Sequence, residues 1–441
     1  MLKQFKLALA VVLALVLGLA SVSSAFAAGD PVTTGTPSAP MKAAITKMLK
    51  VPAGTAIPAA TFTFNSRLVS VDDVVGAAGP ASLANLSVSF NSSETSATSG
   101  GVSSVVKETG NIFAGITFPH AGVYVYEITE NANTNPSIDS NINHETLTYS
   151  GAKYTLTVYV KADGGQTYVW GVGDVATFGD DGLLGSGDKV DPTPGGEDGT
   201  SYSKMIFTNI YTHTNGSDDP DNPDPANESS LIVSKTVTGE FGSQTQYFDY
   251  TMDLALPSLV ATPPAFYRAY VVEGATVVTS EDNAAAALLG TDAGGTYIKV
   301  ALDRSTTFSL KHGQKLVFVD TPVGTTYSVK ENGTLGYQAK VTVTTNTIAA
   351  APLSGPSLGA PVSANNQTVG ESVNRADFVN DRSDVTPMGL NLADLPFIGM
   401  IIVAVGALVV FVALKLRRRG AAAAAAAGEV AGNQTSSGAQ A

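Results

Sequence analysis

The sequence predicts an all-β fold with two sandwich domains, and two patterns support that prediction. Runs such as residues 154–160 and 339–344 alternate apolar with polar side chains and are rich in Thr, Val and Tyr, and Gly, Asn, Asp and Pro separate such runs. This alternation is typical of short strands joined by turns, which at this spacing indicate sandwiches. An acidic, proline-rich stretch without large apolar residues, 212–228, divides the strands into two groups.

The N-terminus has the features of a secretory signal peptide. Lys3 and Lys6 precede an almost continuously apolar run, and a small-residue cleavage site at Ala25-Phe26-Ala27 follows it. The run is too short to span a bilayer, so we expect residues 1–27 to be removed on export. The alternative is a retained N-terminal anchor.

The C-terminus carries a different signal. Residues 395–414 have no charge, and at about 1.5 Å per residue a helix of that length crosses a hydrocarbon core about 30 Å thick. A basic cluster at 415–419 follows at once, which predicts a cytoplasmic tail. The bulk of the chain is then extracellular and anchored at the cell surface, in the wall or the plasma membrane. The alternative is a buried core helix.

These signals predict a linear order of segments. In sequence they are a signal peptide at 1–27, a flexible leader at 28–40, a first sandwich at 41–211, a semi-rigid linker at 212–228, a second sandwich at 229–383, a stalk at 384–394, a transmembrane helix at 395–414, and the basic cluster with an alanine-rich cytoplasmic tail at 415–441.

Composition excludes several classes of function. The chain has no cysteine, so an exported fold must do without disulfides. The net charge of −13 argues against nucleic acid as a partner. No nucleotide-binding or hydrolase motif is present and the histidines are scattered, so we expect no cofactor, no metal and no enzyme. The acidic loop at 179–191 reads as a solvated turn rather than a metal site, and Trp170 is expected in the core.

The two halves share an ordered set of side chains. Each half has a lysine on its first strand, a glutamate on a middle strand and an asparagine on its last strand, with aromatic neighbours in TFTF and FDYT and in FTN and FVN. The sets are Lys47, Glu130 and Asn209 in the first half, and Lys235, Glu331 and Asn380 in the second.

This pattern resembles the streptococcal-type pilin isopeptide-linkage domains of Gram-positive surface proteins. The most specific pieces are SKTVTGEFG at 234–242, the Y-x-V-x-E motif at 327–331 and the F-x-N endings. The resemblance implies immunoglobulin-like sandwiches whose first and last strands are joined by a Lys–Asn amide bond. It makes Glu130 the catalyst of a Lys47–Asn209 bond and Glu331 the catalyst of a Lys235–Asn380 bond.

The chemistry needs these residue types. A lysine amine attacks a carbonyl only when it is neutral, and burial lowers its pKa while raising that of a carboxyl. A protonated glutamate can then polarise the amide and relay protons as ammonia leaves. The reaction happens once, so it is self-crosslinking without turnover.

Rival residues leave the assignment open at this stage. Lys42 and Lys50 compete with Lys47, and Glu127 competes with Glu130. Glu127 and Glu130 face opposite sides of a strand, so only one of them can be inside. The plainer alternative is that all these polar residues are exposed strand neighbours.

A sorting signal for a sortase is present only in imperfect form. Thr386, Pro387, Met388 and Gly389 resemble an x-P-T-G variant with methionine in the threonine place, and LPFIG at 395–399 has isoleucine in that place. The first is favoured because it lies further from the span, and a retained anchor without cleavage is the third possibility.

The resulting hypothesis is a structural surface protein, a pilus or fibre subunit. Its partners would be a sortase, other pilin subunits and the membrane through 395–414, with Lys204 as a weak candidate for the intermolecular acceptor. The alternative is a non-polymerising anchored adhesin built from the same modules. An enzyme acting on wall polymers is disfavoured because no paired catalytic carboxylates stand in a recognisable motif.

Overall fold

The structure is a computed structural model. It describes residues 34–94, 96–138, 145–185, 187–195, 203–216, 222–227, 229–260, 263–302, 304–383 and 395–432. The predicted signal peptide and the sorting motif Thr386, Pro387, Met388 and Gly389 lie outside these residues. The described part is all-β apart from one short 3₁₀ turn, Ala286–Leu288, and one C-terminal helix, as the strand pattern predicts.

The first sandwich is formed by strands that begin at residue 46. They are β1 (Thr46–Pro52), β2 (Thr61–Val71), β3 (Val74–Val75), β4 (Ser87–Ser89), β5 (Ala97–Ser99), β6 (Val102–Glu108), β7 (Gly122–Asn135), β8 (Glu145–Thr148), β9 (Lys153–Asp163), β10 (Gln166–Phe178), β11 (Lys189–Asp191), β12 (Ser203–Lys204) and β13 (Ile206–Gly216).

The second sandwich begins at residue 231. Its strands are β14 (Leu231–Thr238), β15 (Phe248–Ala255), β16 (Phe266–Glu273), β17 (Thr276–Val277), β18 (Leu289–Asp292), β19 (Gly295–Ala301), β20 (Thr306–Leu310), β21 (Gln314–Phe318), β22 (Asp320–Pro322), β23 (Thr326–Glu331), β24 (Gln338–Thr345), β25 (Ile348–Ala349), β26 (Leu353–Ser354), β27 (Val362–Thr368) and β28 (Arg375–Asp381).

Two sheets enclose the core of each sandwich. In the first, the order β13-β1-β6-β5 faces the order β12-β11-β10-β9-β7-β2-β3. In the second, β18-β19-β16-β21-β14-β28-β24-β25 faces β20-β15-β23-β27. Buried apolar side chains of both sheets form one main cluster in each domain. Alternation produces this core: Tyr124, Tyr126 and Ile128 on β7 are all fully buried.

The first and last strands of each sandwich are parallel neighbours. In the first domain Lys47 lies opposite Phe207 and Leu49 opposite Asn209. The second domain repeats the register: Lys235 lies opposite Phe378 and Val237 opposite Asn380. The lysine and the asparagine are therefore two residues apart on adjacent strands in both domains.

Trp170 differs from its predicted place in the core. The strand pairing between β9 and β10 shifts register between Val169 and Gly171, so Trp170 falls in a bulge. Its side chain is only partly buried, and Lys161 Nζ lies 3.7 Å from its ring centroid. An alternation rule cannot place a residue at a bulge, since the bulge resets the alternation.

The linker is shorter than the composition of residues 212–228 indicates. β13 continues to Gly216, and its residues 214–216 pair antiparallel with β22 of the second sandwich. His213 Nδ1 lies 2.8 Å from Glu371 Oε2, and the other oxygen of Glu371 accepts a 2.7 Å hydrogen bond from the Ala56 N–H. Pro223 and Pro225 are buried as well. The end of the first domain is thus built into the second.

The C-terminal segment forms one helix, α1 (Leu395–Gly432). Judged by length and composition alone, the helical stretch Gly399–Arg419 is able to cross a membrane. The span begins four residues later than the sequence predicts and includes the basic cluster at its end.

Candidate crosslinking sites

Site 1 consists of Lys47, Glu130 and Asn209, and the structure brings the three together inside the first sandwich. Lys47 and Asn209 lie on the adjacent strands β1 and β13, and Glu130 reaches them from β7 in the opposite sheet. The side chains of Lys47 and Glu130 have no exposed surface, and Asn209 is fully buried.

One carboxylate oxygen joins the amine and the amide at site 1. Lys47 Nζ lies 2.8 Å from Glu130 Oε1, and Asn209 Nδ2 donates to the same oxygen at 3.0 Å. Lys47 Nζ also donates to the Phe207 carbonyl at 3.2 Å. A proton leaving the amine and a proton arriving at the amide nitrogen would therefore use the same oxygen atom.

A backbone donor completes site 1. The N–H of Ser150 donates to Asn209 Oδ1 at 2.8 Å and, less closely, to Glu130 Oε2 at 3.2 Å. Ser150 precedes β9, and no motif in the sequence singles it out. Backbone donors carry no side-chain signature, so sequence reasoning does not find this one.

Site 2 consists of Lys235, Glu331 and Asn380 in the second sandwich. Lys235 Nζ lies 2.8 Å from Glu331 Oε2, with no exposed surface on either side chain, and Asn380 Nδ2 donates to Glu331 Oε1. The Tyr250 hydroxyl donates to Glu331 Oε2 at 3.1 Å. Among the described residues nothing donates to Asn380 Oδ1, which is buried.

Aromatic rings line both amines. Lys47 Nζ lies 4.8 Å from the centroid of Phe62, and Lys235 Nζ lies 3.9 Å from that of Phe248. Phe62 and Phe248 match in the register, because each lies two residues before the residue that is opposite the glutamate. The rings exclude water from the amines and face them with the negative side of their π systems.

Burial changes the protonation of both lysines. Desolvation lowers the pKa of Lys47 to about 8, against the opposing effect of Glu130, and it lowers the pKa of Lys235 to about 8 against that of Glu331. Relative to the ordinary value of 10.5, a pKa near 8 raises the neutral fraction at pH 7 about 300-fold. Burial also raises the pKa of Glu130. At site 1 the same desolvation therefore favours a neutral amine beside a protonated acid, which is the reactive pair.

The structure separates the rival residues. Lys42 is exposed, Lys50 is half-buried, and the Glu127 side chain is 38% exposed and pairs with Arg67. The reading of all six triad residues as exposed neighbours is wrong, because each side chain is buried. In the second half, Tyr327, Val329 and Glu331 share one buried face, as alternation predicts.

The candidate acceptor Lys204 lies in a different setting. Its Nζ is 3.3 Å from Asp191 Oδ2, it donates to the Thr193 carbonyl at 3.0 Å, and only 11% of its side chain is exposed. An acceptor in an intermolecular bond must reach an external enzyme, and these contacts hold the amine against its own domain.

Two family models match the chain, one for each sandwich. Residues 43–212 match the Spy0128-like isopeptide containing domain, and residues 229–382 match a domain of unknown function, DUF7601. No curated protein matches the chain.

Solved structures of pilus proteins match the chain at low sequence identity and low TM-score. The major pilin from Streptococcus pyogenes is 19% identical over 78% of this chain and 99% of its own, with a TM-score of 0.31. Another S. pyogenes major pilin, T3.2, is 17% identical over 78% and 99%, with a TM-score of 0.28. A pilus-presented adhesin, Cpa, is 16% identical over 53% and 36%, with a TM-score of 0.22. TM-scores this low add nothing to the match of the family model.

The family model spans the first sandwich from just before β1 to within β13, so it includes all three residues of site 1. This match confirms the resemblance of residues 43–212 to the isopeptide containing domains of Gram-positive pilins.

Proposed function

We propose that the protein is a structural subunit of the cell surface that crosslinks itself once in each sandwich, through Lys47–Asn209 and Lys235–Asn380 amide bonds. One observation carries the proposal: in both domains a fully buried lysine and a buried asparagine amide converge on the same fully buried glutamate. Three polar side chains in an apolar core are costly unless they serve one another or a reaction.

The arrangement supports a balanced reaction at each site. The neutral lysine nitrogen attacks Cγ of the asparagine, and the carbonyl electron pair moves to Oδ1. The glutamate takes the proton from the lysine nitrogen and delivers one to Nδ2, which leaves as ammonia when its bond to Cγ breaks. The product is one secondary amide, and the glutamate ends in its starting state. Holding the groups in contact supplies up to about 7–11 kcal/mol of the barrier.

Mass spectrometry tests the crosslinks. The full chain purified from producing cells should weigh less than its processed sequence by two ammonia molecules. Proteolysis should release two branched peptides, one joining the segments around Lys47 and Asn209 and the other those around Lys235 and Asn380. An unmodified mass would eliminate the crosslinking function.

The finer role that we propose is a pilus subunit, exported, held by the span at Gly399–Arg419 and passed by a sortase to other pilin subunits. The isopeptide containing domain and the apolar helix support this role. A non-polymerising surface adhesin is the second candidate. Wall extracts boiled in detergent should show a ladder of high-mass species that disappears in a strain without sortases, whereas an adhesin should give one band.

A further inference from the structure

We propose that the backbone N–H of Ser150 is the oxyanion donor of the first crosslink, and that Asp180 is the residue that positions it. This inference rests on the proposed crosslinking function and extends it to two residues outside the triad. It concerns the first sandwich only, because the second is built differently at the matching atom.

The donor contacts the atom on which charge develops. The Ser150 N–H lies 2.8 Å from Asn209 Oδ1, and Ser150 is 9% exposed. When Lys47 Nζ attacks Cγ, the electron pair of the C=O double bond moves onto Oδ1, and the double bond re-forms as ammonia leaves. A donor already aimed at that oxygen stabilises the charge without reorganisation, and donors of this kind contribute about 10²–10³ in rate.

Asp180 ties the donor to the strand that carries the acceptor. Its Oδ1 accepts a 2.5 Å hydrogen bond from Ser150 Oγ and a 3.0 Å hydrogen bond from the N–H of Thr208, the residue before Asn209. Its backbone carbonyl accepts from the Gly151 N–H at 2.8 Å. One residue thus fixes both sides of the Ser150–Asn209 contact.

The backbone of the loop that carries Asp180 also lies close to the backbone of the segment that carries Ser150. A Cβ added to Gly151 would lie 2.5 Å from Gly182 Cα, so this contact needs glycine at 151. The acidic loop is exposed at residues 180–184, as the prediction of a solvated turn requires, and its backbone also packs against the segment bearing Ser150. Within that loop, the Asp180 carboxylate accepts the hydrogen bonds from Ser150 and Thr208.

Site 2 lacks this device and provides an internal control. No described residue donates to Asn380 Oδ1, and the donor that completes site 2, the Tyr250 hydroxyl, goes to Glu331 instead. A change at Asp180 should therefore affect one bond and spare the other in the same molecule.

The test follows both bonds in time. The full chain is made by cell-free synthesis, samples are quenched in acid, and branched and linear peptides at each site are quantified by mass spectrometry. Asp180→Ala should slow formation of the Lys47–Asn209 bond at least about tenfold and leave the Lys235–Asn380 bond unchanged. Asp180→Asn keeps an acceptor oxygen and should restore nearly the original rate.

The direction of the effect separates positioning from charge. The Asp180 carboxylate raises the pKa of Lys47, so loss of its charge alone would leave more neutral amine and speed the bond. Slowing in Asp180→Ala with rescue by Asp180→Asn supports positioning. An unchanged first bond in Asp180→Ala, or equal slowing in both variants, would overturn the inference.

The rate in Ser150→Ala and the bonds in the unaltered chain keep the outcomes distinct. If protease resistance shows that Asp180→Ala does not fold, Ser150→Ala replaces it, because this variant keeps the N–H but loses the Oγ contact with Asp180. It should also slow the first bond, and an unchanged rate would refute the role of Asp180. If the unaltered chain forms neither bond, the crosslinking function itself fails. If it forms both at rates that no variant changes, only the roles of Ser150 and Asp180 fail.

Discussion

Sites 1 and 2 have the same frame and are completed in different ways. In both, parallel first and last strands carry the lysine and the asparagine in the same register, and a strand of the opposite sheet carries the glutamate. At site 1 the remaining donor is a backbone N–H aimed at the amide oxygen, whereas at site 2 it is the Tyr250 hydroxyl aimed at the carboxylate.

The position that differs can be read from the register. Phe64 lies opposite Glu130 on β2, and Tyr250 lies opposite Glu331 on β15. Phenylalanine cannot donate to the carboxylate, and the Ser150 N–H lies closer to Asn209 Oδ1, at 2.8 Å, than to Glu130 Oε2, at 3.2 Å. The comparison teaches that strand topology fixes where the three groups meet, while local chemistry decides which reacting atom receives help.

Loss of either glutamate should have the largest effect. Glu331→Ala should abolish the second bond and Glu130→Ala the first, because among the residues that the structure describes only the glutamate contacts both the amine and the amide nitrogen. Each change leaves a buried lysine without its partner, which should lower the free energy of unfolding by on the order of 3–5 kcal/mol. Intact mass and melting temperature measure both effects.

Glu127→Ala is the matched control for Glu130→Ala. Its side chain lies on the exposed face of the same strand and pairs with exposed Arg67, a contact worth about 0–1 kcal/mol. Retention of the Lys235–Asn380 branched peptide in Glu331→Ala would show that Glu331 is not the catalyst.

Asp174 sharpens the comparison, because it is a buried acid of the first domain without the lysine that sites 1 and 2 provide. Burial raises the pKa of Asp174 well above its ordinary value, and its Oδ2 has no hydrogen-bond partner in the described structure. The folded domain therefore holds a proton that the unfolded chain releases. The contribution of this protonated carboxyl to the free energy of unfolding is fully present below pH 3.8, the pKa in the unfolded chain. It is lost as the pH rises toward the raised pKa of the folded state, by about 1.4 kcal/mol per pH unit.

Asp174→Asn should flatten this part of the pH dependence. Unfolding of the first domain by urea, measured from pH 4 to 8, should depend less on pH in the variant, while exposed Asp163→Asn should behave as the unaltered chain does. Identical slopes in the Asp174 variant and the unaltered chain would contradict the assignment.

The smallest effect is expected from Tyr250→Phe, which makes site 2 resemble site 1 at the position of Phe64. Loss of one hydrogen bond to Glu331 should cost about 1 kcal/mol of stability, and the second bond should form a few-fold more slowly. Tyr126→Phe, which loses a hydrogen bond to the Pro80 carbonyl, should leave that rate unchanged. A faster second bond in Tyr250→Phe would mean that the hydroxyl restrains Glu331 instead of assisting it.

The sequence predicts more of the fold than of the surroundings of the sites. Alternation identified the strands and put Glu331 on a buried face, and the repeated order of Lys, Glu and Asn brought together residues that are far apart in the chain. Alternation failed at Trp170, where a bulge resets it. The linker prediction failed at residues 212–216, which are polar but not acidic, because they continue β13 and residues 214–216 pair with the second domain. The sequence did not reveal Ser150, because its contribution is a backbone group. It did not reveal Asp180, because the loop is exposed as predicted and the contacts of this one side chain with Ser150 and Thr208 leave no mark in the composition.

The parallel pairing of β1 and β13 determines how the first domain would carry a pulling force. Before β1 the N–H groups of Gly35 and Met41 donate to carbonyls of β10, so the predicted flexible leader is held to the domain from Gly35 onward. The chain then runs along β1 and leaves the domain along β13, which continues to pair with β22. With an amide bond between Lys47 and Asn209, tension would pass from one strand to the other through covalent bonds. The whole chain between these residues would then bear no load, so its loops and strands could vary in sequence and stability without changing how far the subunit extends when pulled.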